Sequence, residues 1–158
     1  MKLKLNPDYA KRHLFVTLLM LGMGGWFGYD GLIRYPATPA AQLYREIEKA
    51  DAPAGFDLEG FKAQKTKTQY GFTVLTLLVA AVVGLRLLKA KKFDFEFDDD
   101  GFAISGKHYS YKDVKSTDRS NWEKKNILAI ELNDGTKITL DGWHHLGVKE
   151  FAAHLSED

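Results

Sequence analysis

The sequence predicts an α+β membrane protein, with two transmembrane helices followed by a small antiparallel β-barrel or sandwich and a C-terminal helix. Three observations carry that reading. Residues 14–29 (LFVTLLMLGMGGWFGY) and 70–85 (YGFTVLTLLVAAVVGL) contain no charged side chain. From Phe93 the chain alternates aromatic with acid (FDFEFD), the period of a strand with one buried face. Near the end, Val148, Phe151, Ala152 and Leu155 fall on one helical stripe.

Each uncharged core is about 16 residues, and flanking apolar residues extend it into the roughly 17–25 that a spanning helix requires. Leu32 and Ile33 extend the first; Leu87 and Leu88 extend the second, past an Arg86 that can snorkel. A buried helix of a soluble protein shows a polar stripe, and neither segment does. The first span has a rival reading as a cleaved signal peptide, but Asp30 and Arg34 interrupt the approach to the small residues at 37–41.

Lys2, Lys4, Lys11 and Arg12 precede the first span, and Arg86, Lys89, Lys91 and Lys92 form a basic collar after the second. The segment between the spans mixes its basic residues with acids. Both termini are therefore expected to be cytoplasmic, with the collar acting as a stop-transfer anchor at the membrane interface. Gly24-x-x-x-Gly28 and Ala80-x-x-x-Gly84 place small residues one turn apart, the spacing that lets helix backbones approach closely in lipid. Packing of the two spans on each other is the expected use, with dimerisation or docking on another subunit as the alternative.

Four segments follow: residues 1–34, N-terminus and first span; 35–69, an extramembrane loop with a short helix; 70–92, second span and collar; 93–158, the β-domain. In the loop, Thr38 before Pro39 predicts a helix cap and first-turn proline, with Leu43, Tyr44 and Ile47 on one face of a helix reaching about Ala50. Phe56, Leu58 and Phe61 are too few for a core of their own.

In the last segment, DDDG tempts one toward a calcium loop. The bidentate acid required six residues after Gly101 would be Lys107, so the motif fails. A four-residue turn instead pairs Phe97 with Phe102 and Phe95 with Ile104. For NILAIELNDGTKITLD, a three-residue turn at Asn133, Asp134 and a left-handed Gly135 opposes Ile130 to Ile138, Leu128 to Leu140 and Glu131 to Lys137. Residues 107–126 read as further short strands and turns.

Charge divides the chain. Residues 1–92 carry about 14 Lys and Arg against about 7 Asp and Glu, and residues 93–158 about 8 against about 14. The folded candidate is thus the acidic half, which argues against nucleic acid as a partner. There is no cysteine, which excludes disulfides, thiolate metal sites and Cys nucleophiles. His144 and His145 are adjacent and would point to opposite faces of a strand. With His108 and His154 they match no zinc spacing and read as solvated, with Trp143 as a core or edge anchor. Ser110, Ser116 and Ser120 lack a nucleophile-elbow context, and no phosphate-binding glycine loop occurs. Asp30 is the most provocative ionisable residue, expected at the interface end of its span. No catalytic residue, metal site or cofactor is expected, and no enzyme activity.

The strand meander, Trp122, the hairpin ILAIELNDGTKITL and the terminal helix GVKEFAAHL resemble the bacterial pleckstrin-homology-like domains, which often follow a pair of transmembrane helices. The resemblance covers residues 93–158 and implies a PH-like fold at the bacterial inner membrane. Phosphoinositide-binding relatives place basic residues in the first hairpin loop, where this chain has Asp98, Asp99 and Asp100. No phosphoinositide is expected there, and the three acids become the candidate protein-interaction surface. The expected function is a membrane-anchored adaptor or accessory subunit of a larger membrane complex. The expected partners are the bilayer and a membrane protein or a second copy, and the alternative is a self-associating envelope scaffold or sensor.

Overall fold

A computed structural model describes residues 1–155, and the chain divides into two compact units. One unit joins Met1–His13 to the chain from Arg86 onward; the other is Leu14–Leu85. In chain order the elements are β1 (Lys4–Leu5), α1 (Pro7–Tyr29), a π-helical turn (Asp30–Arg34), α2 (Tyr35–Ala37), α3 (Ala40–Glu48) and α4 (Leu58–Lys92). There follow β2 (Phe95–Phe97), β3 (Gly101–Ile104), β4 (Lys107–Ser110), β5 (Val114–Asp118), α5 (Trp122–Lys125), β6 (Ile127–Leu132), β7 (Lys137–Asp141), β8 (His145–Leu146) and α6 (Val148–His154).

The helical unit has two helices long and apolar enough to cross a membrane, in Pro7–Ala37 and Leu58–Lys92. They pack through small residues. A Cβ placed on Gly24 would meet Leu77 Cδ2 at 2.9 Å and Thr76 Oγ1 at 3.0 Å, and one on Gly28 would touch Thr73 Cγ2 at 3.6 Å. Gly84 faces Thr17 in the same way, with Cγ2 at 3.5 Å, and Ala80 is buried. Thr73 and Thr76 donate their hydroxyls to the carbonyls of Gln69 and Phe72, each at 2.8 Å, which removes unpaired polar atoms from an apolar interface. The outward faces are hydrocarbon: Phe15, Leu18, Trp26, Leu32, Val74 and Leu78 are all more than half exposed.

Between the long helices the structure corrects one expectation. Thr38 does not cap α3: its hydroxyl donates backward to the Arg34 carbonyl at 2.7 Å, leaving Pro39 at the cap position. The helix stops at Glu48 because Lys49 turns left-handed. Phe56 and Phe61 find a partner in Tyr44, with both rings 4.9 Å from it, so the loop has a small aromatic cluster.

In the β-bearing unit both hairpins adopt the predicted registers. Phe95 pairs with Ile104 and Phe97 with Phe102; Leu128 pairs with Leu140, Ile130 with Ile138 and Glu131 with Lys137. Gly135 has φ +84°, which a three-residue loop with a left-handed last position requires. Burying one face dictates these registers, because a one-residue slip would put every Phe or Ile in water. The helix stripe is also as predicted, with Val148, Phe151, Ala152 and Leu155 buried in a core with Phe95, Phe97, Phe102, Leu128 and Leu140. Phe151 stands edge-on to Phe95, with ring centroids 4.8 Å apart.

The expected barrel does not close. The strands form two three-stranded sheets, β2-β3-β4 and β5-β6-β7, and a two-stranded ribbon of β1 and β8. The break falls after β4, where Ser110 and Asp113 form a capping box around a 3₁₀ turn that takes the backbone out of strand geometry. Trp122, expected in a strand region, starts the short α5 and lies half-buried against the core.

The N-terminal residues, expected only as a basic flank to the first span, pair with strands of the β-bearing unit. Leu3 N donates to the Phe95 carbonyl at 2.9 Å, Phe97 N donates to the Met1 carbonyl at 2.6 Å, and the Met1 nitrogen donates to the Phe97 carbonyl. Residues 1–3 thereby cover the outer edge of β2. Leu3 enters the core, and Lys4 and Leu5 continue into pairing with Leu146 and His145. Lys2 lies 2.6 Å from Asp94 and 3.1 Å from Glu96, two of the acids on the wet face of the first strand.

Two outcomes follow from these contacts. Leu3→Ala should cost about 2–4 kcal/mol. That speeds hydrogen exchange of the β2 and α6 amides of the full chain in micelles by some two orders of magnitude, whereas Lys4→Ala should stay within about 0.5 kcal/mol. In the helical unit, Gly24→Leu should lower stability by about 1–3 kcal/mol through overpacking against Leu77. Gly25→Leu, with nothing within 4 Å of its added Cβ, should leave the thermal midpoint of the solubilised chain unchanged.

Candidate functional site

Two of the recesses in the β-bearing unit are opposite in charge. The first, about 410 Å³, lies along the first hairpin and is lined by Glu96, Asp98, Asp100, His108 and Tyr109. Of the three acids in the predicted interaction surface, Asp98 is occupied locally: its Oδ1 accepts from the backbone of Asp100 at 3.0 Å and of Gly101 at 3.1 Å. Its carbonyl accepts the Tyr111 hydroxyl at 2.6 Å. Asp98 therefore builds the turn. Asp99 and Asp100 project from it into solvent, with Asp99 3.8 Å from His154 Nδ1.

The acids of the second hairpin are differently placed. Lys115 lies 2.6 Å from Glu131, and Lys107 lies 3.0 Å from Asp134. Hydrogen bonds from Thr136, backed by Lys107, bring the Asp134 carboxyl down to about 2. These acids are neutralised where they stand, and the tip of the first hairpin is not.

The second recess, about 520 Å³, is lined by Tyr9, His13, Arg86, Lys89, Trp143 and His144. Tyr9 is buried, its ring 3.8 Å from that of His13 and 4.4 Å from that of His144. His13 Nδ1 approaches the Tyr9 carbonyl at 3.0 Å. Trp143 is 44% exposed and so is not a core anchor; the Arg12 guanidinium lies over its ring at 5.2 Å. Asp141 secures the loop, accepting from the Trp143 backbone at 2.8 Å and sitting 3.6 Å from His144 Nε2.

The two adjacent histidines do not point to opposite faces, since their rings stand edge-on with centroids 6.3 Å apart, and His145 is buried rather than solvated. Its Nε2 is 2.9 Å from the Ala90 carbonyl. A carbonyl only accepts, so Nε2 carries the proton. Ala90 belongs to the last turn of α4, whose carbonyls lack helical partners, so His145 acts as a C-terminal cap delivered by another element. Nothing in the sequence separates this histidine from its neighbour.

In the helical unit Asp30 is buried at the π-helical turn. Arg34 bridges it to the loop helix, with Nη1 3.3 Å from Asp30 Oδ1 and Nη2 2.9 Å from Glu46 Oε2. The basic collar divides by role: Arg86 and Lys89 line the second recess, and Lys91 and Lys92 are exposed at the end of α4.

Among the described residues no three His, Asp or Glu side chains converge in a way that could hold a metal ion. Ser110 Oγ accepts from Lys112 N at 3.3 Å, a turn contact. What the recesses offer is binding: one presents carboxylates, the other guanidinium, ammonium and imidazole groups beside an aromatic ring. No protein-family model, curated protein or solved structure matches this chain.

His144 is held below the ordinary imidazole value of 6.5, chiefly by burial, with His145, His13 and Arg86 adding to the effect against the pull of Asp141. As pH falls the unfolded chain takes up this proton first. The stabilisation is therefore complete above about 6.5 and is lost as pH drops through that value toward the folded one. Unfolding of the β-bearing unit, followed from pH 7.5 to 5.5, should show stability declining with acid, and His144→Gln should flatten the slope.

Proposed function

We propose that this chain is a non-enzymatic, membrane-anchored adaptor or accessory subunit, presenting a PH-like β-domain for contact with a partner protein. The observation that carries the proposal is the tip of the first hairpin. Asp99 and Asp100 stand exposed beside an acidic groove, while Asp134 and Glu131 on the neighbouring hairpin are tied to lysines. A surface of that kind complements lysine and arginine on a partner, steering approach and setting register.

Membrane anchoring draws support from the apolar helix pair and from the N-terminal strand. Residues 1–5 belong to the same folded unit as β2 and β8, so both lie on one side of any membrane the chain crosses, as two crossings require. The lysines and arginines around residues 2–12 and 86–92 favour the cytoplasmic side of a bacterial inner membrane. The small residues of the spans face inward, which favours a foreign partner over self-association through those faces.

The test is the intact mass of a tagged chain purified in mild detergent, beside an Asp99→Lys/Asp100→Lys variant that spares the turn-forming Asp98. The expected result is a stoichiometric complex with another membrane protein that the variant loses, with affinity reduced about tenfold or more. A homo-oligomer unchanged by the variant would point instead to a self-associating scaffold.

A further inference from the structure

The basic recess has no part in the adaptor reading, and its chemistry is specific. Arg86 and Lys89 line it, and among the described residues neither is within ion-pair distance of a carboxylate. Its one acid, Asp141, is engaged by the Trp143 backbone and His144. Two fixed positive charges therefore face an open space of about 520 Å³, with imidazoles at His13 and His144 as further donors and an exposed Trp143 at the rim. Such a set suits a phosphate ester: guanidinium and ammonium for its oxygens, an indole for the glycerol and ester carbons next to it.

The position of the lining residues in the chain indicates where that phosphate comes from. His13 directly precedes the uncharged stretch 14–29, and Arg86 directly follows the uncharged stretch 70–85. Residues one step outside two apolar spans sit at headgroup depth, where tryptophan and snorkelling cations concentrate. We propose that this recess is a binding site for the phosphate of an anionic phospholipid headgroup. The site differs from the first hairpin loop, whose aspartates repel such a group, and from the general attraction of a basic collar, because Lys91 and Lys92 do not line it. It does not depend on the partner of the acidic groove.

The experiment uses the full chain in phosphatidylcholine nanodiscs containing a minor fraction of phosphatidylglycerol, with the lipids retained on the released protein counted by native mass spectrometry. Phosphatidylglycerol should be retained in preference to phosphatidylcholine. Arg86→Gln/Lys89→Gln should weaken that retention about tenfold or more, and Lys91→Gln/Lys92→Gln should not. Thr139→Glu provides a second variant that leaves every cation in place: Thr139 lines the recess, is exposed on β7 and opposes Ala129 on β6. It should give the same loss by adding a negative charge. Equal losses in the cleft and collar variants, or no preference for phosphatidylglycerol, would overturn the proposal. Displacement of the bound lipid by inorganic phosphate or glycerol 3-phosphate at millimolar concentration would overturn the lipid assignment and make the natural ligand a soluble phosphate ester.

Discussion

The edge of β2 is the constraint on which the rest of the β-bearing unit depends. A three-residue strand flanked only by β3 would expose unpaired N–H and C=O groups along its other side, an invitation to pair with another chain. Residues 1–3 fill that side, and Leu3 simultaneously joins the core that Phe95 and the α6 residues Val148, Phe151 and Ala152 share. The sheet needs the N-terminus because it does not close on itself. Covering the edge also fixes the course of what comes next, since Lys4 and Leu5 run on to β8 and α1 begins at Pro7. Tyr9 and His13 arrive beside His144 for that reason, so the basic recess is a by-product of the way the edge is covered.

The helical unit obeys a different rule. Two helices apolar enough to cross a membrane would gain nothing hydrophobic from pressing together in hydrocarbon, so close backbone approach and satisfied polar groups would have to hold them there. Gly24, Gly28, Ala80 and Gly84 supply the approach, and the threonines return their hydroxyls to their own helices. Asp30 is the exception that needs a partner from its own helix. The π-helical turn that begins at Asp30 inserts an extra residue, and Arg34 then reaches both Asp30 and Glu46. A buried carboxylate without that arginine would be a large cost in such surroundings.

The parts of this structure legible in the sequence are those set by a single periodic face. Phe95, Phe97 and Phe102, or Leu128, Ile130 and Leu140, admit one register each, and the stripe of α6 admits one orientation. What was not legible depends on pairing between distant segments. The alternation Lys2-Leu3-Lys4-Leu5 is a short strand pattern in plain view, but its lysines also suit a cytoplasmic flank, and only contact with β2 and β8 decides between the readings. Closure of the barrel failed for a similar reason, because the capping box of Ser110 and Asp113 is a local signal with a global result. His145 and His144 are identical in sequence terms, and their separate roles come from the end of α4 meeting one of them.

Splitting the chain at residue 92 made the β-domain strongly acidic, and the folded grouping changes that picture. With residues 1–13 and 86–92 included, this unit carries about 16 Lys and Arg against about 15 Asp and Glu. It is close to neutral, with its charges sorted in space rather than balanced everywhere. Acids gather at the first hairpin tip; cations gather at the recess built from Tyr9, Arg86 and Lys89. A near-neutral body with separated poles gains little long-range attraction to either sign of partner, so its selectivity rests on fields within a Debye length, about 8 Å at physiological salt. Each pole must therefore meet its ligand at close range. The proposed lipid would reach the recess from within a membrane, and the proposed partner protein would reach the exposed hairpin as a surface.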